Sequence, residues 1–240
     1  MSVDAEQYTM DEARRLLGWW IEAGVDSPVG EEPRHWLKPL RAQVAGAQVP
    51  IAREIAPPSP AELPADYEAF RAHLEQATGL PLDRDGARRV LPHGLAGAKI
   101  MLVSEMPARE DAADGQPIGG EAWLLAVRML AAIGMAPDDA YSASLACFHV
   151  PGGKISEAEM VRCGDMARQH VALVKPERLL LLGEAPARAM LGEPLARARG
   201  HAHKVEGIRT VATFHPRWLL QRPGDKALAW RDLLLLMDEL

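Results

Sequence analysis

Cysteine is scarce: the 240 residues hold only Cys147 and Cys163. Two thiols give no disulfide framework and fit a reducing compartment, so a cytoplasmic protein is expected. No apolar run is long enough to span a membrane. The composition is that of an ordinary globular chain, 48% hydrophobic and 25% charged. The first residues lack a basic region leading into an apolar stretch, so no secretory leader is expected. Positive charge is not in excess either. The net charge of −6 speaks against a protein that coats nucleic acid without discrimination.

The charge that is present is unevenly placed. Residues 1–76 carry 13 acidic against 7 basic side chains, which leaves the remainder neutral overall. Within 197–231, eight cations (Arg197, Arg199, Lys204, Arg209, Arg217, Arg222, Lys226 and Arg231) stand against Glu206 and Asp225 alone. Such a basic patch is either a solvated face or a phosphate-binding surface. The acidic part reads as an N-terminal helical extension, 1–76. Thr9 and Glu12 have capping-box spacing, and Met10, Ala13, Leu16, Leu17, Trp20 and Ile21 recur at helical intervals over 10–24. The prolines of "APPSPAELP" (56–64) forbid regular helix and read as a stiff linker. A short helix over 65–76 then leads into the main domain, 77–240.

From residue 97 onward, strands and helices alternate. "AKIMLVS" (98–104), "AYSASLACF" (140–148), "RLLLLG" (178–183) and "IRTVATF" (208–214) read as buried strands. Helices are predicted over 120–134, 156–174, 184–191 and 226–239, the second opened by a Ser156–Glu159 capping box. Four strand–helix repeats predict an α/β/α sandwich around a four-stranded parallel sheet. Ligands of such sheets bind beyond the carboxyl ends of the strands. Glu105, Cys147 with Phe148, Gly183 and His215 stand at those four ends, so a site is expected along that edge.

The ordered motifs resemble the uracil-DNA glycosylase superfamily, nearest its bacterial iron–sulfur family-four branch. "IMLVSEMPARED" (100–111) is similar to that family's strand and Gly-Glu-Ala-Pro-Gly turn, and "GQPIGGEAWLLAVRMLAAIGM" (115–135) to its next turn and helix. "VKPERLLLLGEAPARAMLG" (174–192) and the ending "TFHPRWLLQRPGDKALAWRDL" (213–233) match in order, as does the Arg199–Gly200 pair. By order, Glu105 takes the place of the family's acidic residue, while the "GEAP" at 183–186 is a decoy after the third strand.

The resemblance implies hydrolysis of the bond between a damaged base and deoxyribose, after the nucleotide is extruded from DNA. His215 is implied as the donor that stabilises the departing base, and Glu105 as the carboxylate that handles water and opposes sugar charge. Pro107, Ile118, Ala143, Ser144 and Phe148 fall on base-contacting positions. Ile118 replaces a stacking aromatic, Ala143 replaces a polar reader, and Ser104 and Ala108 replace glycines. Arg199, Arg217, Trp218, Leu219 and Arg222 are the DNA-contacting candidates, although Leu219 and Leu220 could equally start a buried helix. Cys147 and Cys163 fall on two of the four cluster positions, and Ala77 and Leu80 near the others. No bound cluster and no other metal are therefore expected. The implied protein is a monomer, acting on single- or double-stranded DNA to remove uracil or another deaminated base. The alternative is a relative that binds nucleic acid without catalysis.

Overall fold

The computed structural model describes residues 63–237, together with Thr9. The expected helix 10–24 and all but the end of the linker lie outside the described residues. The chain divides into two compact units, Met1–Ala56 and Pro57–Leu240, and the fold described is that of the second. It opens with α1 (Tyr67–Gln76), whose first turn is capped by the Asp66 carboxylate accepting the Ala69 N–H at 3.0 Å. Then come β1 (Arg88–Arg89), β2 (Ile100–Ser104), α2 (Arg109–Asp114) and α3 (Gly120–Ala132). Next are β3 (Ala140–Ser144), β4 (Phe148–His149), α4 (Glu157–Val174), β5 (Arg178–Leu182) and α5 (Glu184–Leu191). Last are α6 (Leu195–Ala198), β6 (Ala202–Val205), β7 (Ile208–Thr213), α7 (Pro216–Gln221) and α8 (Lys226–Met237).

The sheet runs β3-β2-β5-β7-β6. Its first four strands are parallel, as the alternation predicts. The expected count of four is corrected to five, because β6 adds an antiparallel edge to β7. Val205 pairs with Ile208 across Glu206 and Gly207, which take φ of 50° and 79°. Two consecutive left-handed residues are what a two-residue hairpin demands. The second predicted strand is also shorter than 140–148. β2 ends at Ser104, so after Leu145 and Ala146 donate to the Ser104 and Glu105 carbonyls there is no strand left to follow. The chain turns off, and β4 pairs instead with β1.

Both sheet faces are covered. Met101, Val103, Leu179 and Leu181 point into a core with α1, α4 and α5, while Ile100, Leu102, Leu180 and Leu182 point into a second with α3 and α8. This is a three-layer α/β/α sandwich, and it explains why β2 is buried along its whole length. Phe70 and Leu74 of α1 join the first core. The Ser156–Glu159 capping box forms as its spacing predicts, Glu159 N–H to Ser156 Oγ at 3.3 Å and Ser156 N–H to Glu159 Oε2 at 3.0 Å. One topological fact places the site. β2 has the later strand β3 on one side and β5 on the other, so the chain reverses direction of growth between β2 and β5 and leaves a crevice at their carboxyl ends.

Candidate active site

That crevice is a cleft of about 680 Å³. Glu105 and Met106 reach it from the end of β2, Gly183 and Glu184 from β5, and Phe214 and His215 from β7. Gly183 turns the chain sharply from β5 into α5 with φ 103°, a region closed to residues with a Cβ. Glu184 is on the wall, but its carboxylate is spent on Arg188 and on the Leu195 N–H. Glu105 makes none of the ion pairs found among the described residues. It stands open to the cleft, and burial against the wall raises its carboxyl above the usual carboxylate range.

His215 caps the first turn of α7, with Pro216 in the first helical position. Its Nδ1 accepts the Arg217 backbone N–H at 3.1 Å. An accepting Nδ1 assigns the proton of the neutral ring to Nε2. Burial, then the Arg217 charge, push the imidazole down to about 4, against an upward pull from Asp111. The ring is therefore neutral at pH 7 and carries one N–H donor on the cleft wall.

The expected DNA-contacting cations have other partners. Arg217 donates through Nη2 to both carboxylate oxygens of Asp111 at 2.9 Å. Arg199 pairs with the buried Asp232 at 2.7 Å, and Asp232 also accepts from Thr213 and the Gly200 N–H. Leu219 is 1% exposed and belongs to the interior, in keeping with the alternative that it starts a buried helix. Trp218 and Leu220 are instead the outward apolar side chains of α7, Trp218 at 40%. A ladder runs along this wall. The Arg199 guanidinium lies 4.0 Å from the Phe214 ring, Phe214 stacks on Trp218 at 6.1 Å, and Arg222 lies 4.4 Å from the Trp218 ring. The indole Nε1–H donates to Asp225 at 2.8 Å, so the Trp218 ring is held on its edge as well.

The expected base-contacting residues do not line the cleft. Ile118 is 0% exposed and packs in the second core, while Ala143 and Phe148 are buried in the first. Pro107 is buried, with its carbonyl accepting from His149 Nδ1 at 3.0 Å. Ser144 is half-buried and its hydroxyl pairs with that of Ser104 at 3.0 Å. Asp111 and Phe214 were not singled out from the sequence. Asp111 could have been found as the acid three residues after Ala108, the spacing at which a carboxylate closes onto the N-cap N–H, here at 2.7 Å.

An iron–sulfur cluster does not fit the residues present. Cys147 and Cys163 are both buried in the first core, with Leu80 and Phe148 in the same cluster and Ala77 packed against it. Burial pushes both thiols up to about 12, the opposite of a metal-binding thiolate. Among the described residues no group of three or more His, Cys, Asp and Glu side chains could hold a metal ion. Arg89 of β1 ties the end of α1 to the β1–β4 pair: its guanidinium donates to the carbonyls of Leu74, Glu75 and Ala77 and covers the Phe148 ring at 4.7 Å. No helix among the described residues is long and apolar enough to cross a membrane.

The chain's similarities to known proteins point to one family. The family model of the Uracil DNA glycosylase superfamily matches residues 91–234. The chain is 28% identical over 137 residues to the Type-4 uracil-DNA glycosylase of Archaeoglobus fulgidus, covering 52% of this chain and 69% of that one. It is 22% identical over 181 residues to the Type-4 uracil-DNA glycosylase of Pyrobaculum aerophilum, covering 71% and 92%.

Proposed function

The chain belongs to the uracil DNA glycosylase superfamily, and on that premise we propose that it hydrolyses the N-glycosidic bond of uracil or another deaminated base in DNA. The observation that carries this reading is the neutral His215 ring, its donor face on a cleft that Glu105 also lines. As the base leaves, the bonding electrons pass to it and a positive charge grows on the sugar. The His215 Nε2–H then donates to the developing base anion, and a fixed neutral donor does this without proton transfer. Glu105 supplies negative charge beside the sugar and takes a proton from the attacking water; its raised pKa suits it to that second task. The outward edge of α7, with Trp218, Leu220 and Arg222, faces the DNA in this reading. The protein acts in the cytoplasm as a monomer.

A second reading, nucleic-acid binding without catalysis, is favoured by one observation: Ile118, Ala143 and Phe148 are buried where base contacts were expected. A single experiment separates the two. Single- and double-stranded oligonucleotides containing uracil, hypoxanthine or xanthine are incubated with the protein and with H215A, and abasic sites are scored. Product that disappears in H215A supports the glycosylase. A salt-dependent gel shift with no product from any base supports the binding module.

A further inference from the structure

Arg217 stands two residues after His215, and Asp111 six residues after Glu105. Their side chains meet at 2.9 Å, joining the turn that carries the imidazole to the loop that carries the carboxylate. Asp111 is fully buried and already committed on its other sides: Oδ2 accepts the Ala108 N–H at 2.7 Å and Oδ1 the Gly119 N–H at 2.6 Å. It therefore knots the start of α2, the start of α3 and the first turn of α7. A carboxylate so fixed gives Arg217 a rigid anchor, unlike a flexible surface acid. An arginine in such a bond is poorly free to hold a DNA phosphate.

We propose that Arg217 is a positioning residue: clamped on Asp111, it sets the His215 ring in place relative to the Glu105 loop. The catalytic part of this proposal rests on the glycosylase reading, whereas the clamp itself does not. The clamp has an electrostatic consequence. The charged groups around His215 are Arg217 on α7, Asp111 on α2, Glu105 after β2, Glu184 on α5 and Arg199 after α6. Of these, Arg217 lowers the imidazole pKa and Asp111 raises it. Removing the Arg217 charge leaves Asp111 unopposed, so the ring must protonate at higher pH.

The test uses the full chain with ¹⁵N-labelled histidine, as wild type, R217Q and R217K. Imidazole nitrogen shifts are followed against pH, beside steady-state cleavage of a uracil oligonucleotide and the salt dependence of its binding. In R217Q the His215 midpoint is expected to rise above the wild-type value, while burial still holds it below that of a free histidine. Its kcat is expected to fall about 10-fold, with KM and the salt slope unchanged. R217K keeps a charged donor and should restore the wild-type midpoint and most of kcat. A His215 midpoint that stays at the wild-type value in R217Q would overturn the clamp. So would a salt slope reduced by about one, the mark of a lost phosphate contact. If R217Q does not fold, the wild type labelled with ¹⁵N-arginine decides instead: Arg217 side-chain N–H protons that exchange as fast as those of a free guanidinium overturn the clamp. Absence of cleavage by the wild type would sink the glycosylase reading and leave the imidazole titration to decide the clamp.

Discussion

A single backbone hydrogen bond decides what His215 can do. Because Nδ1 is occupied by the Arg217 N–H, the ring offers its proton from Nε2 only, and its midpoint near 4 keeps it a neutral donor through the physiological range. Cleavage by the wild type should therefore show no loss attributable to this histidine until pH falls toward 4. A pH–rate profile checks this, and an acid limb centred near 6.5 would contradict it. H215A and E105Q are each expected to lose about 10²- to 10⁴-fold in kcat, measured in single turnover. Glu105 and His215 could be located from motif order, since each follows a strand that periodicity reveals, whereas Cys163 lies within α4. Ile118 was not. Its place in the motif suggested a base contact, but whether a side chain turns outward or inward depends on the layer above it.

At the level of elements, two buried polar links tie helices to the sheet. Arg199, just after α6, grips Asp232 of α8, which also accepts from Thr213 at the end of β7. Cutting it with R199A strands a buried carboxylate and is expected to cost about 3–5 kcal/mol in denaturant unfolding. On the other face, Tyr141 of β3 meets His170 of α4, O to Nε2 at 2.8 Å. Burial, with a smaller contribution from Arg71, holds His170 at about 3. A depressed histidine contributes stability that is whole above the unfolded value of about 6.5 and is lost as pH falls toward the folded one. Thermal stability should thus decline between about pH 6.5 and 3. H170Q, whose amide can pair with the Tyr141 hydroxyl as donor or acceptor, should flatten that decline. Helices and parallel strands were readable from their apolar periods. The β6–β7 hairpin was missed because its signal is a two-residue Glu206–Gly207 turn rather than an apolar run.

For the whole molecule, the sharpest expectation is that no iron–sulfur cluster binds. Apolar packing and the Arg89 donors to α1 occupy the region that two thiols border. The purified protein should be colourless, and chelation should leave its thermal midpoint unchanged. A brown, iron-containing preparation would refute this. What the sequence alone determined is the alternation of four parallel strands with helices, and with it the expectation that Glu105 and His215 share one sheet edge. Both follow from local periodicity and the rule that parallel-sheet ligands sit at carboxyl ends. Only the tertiary structure decided which charges remain free. Arg217 and Arg199 read as phosphate ligands until their acids, 106 and 33 residues away in the chain, are brought within hydrogen-bond distance. No local pattern encodes a partner that folding alone brings near.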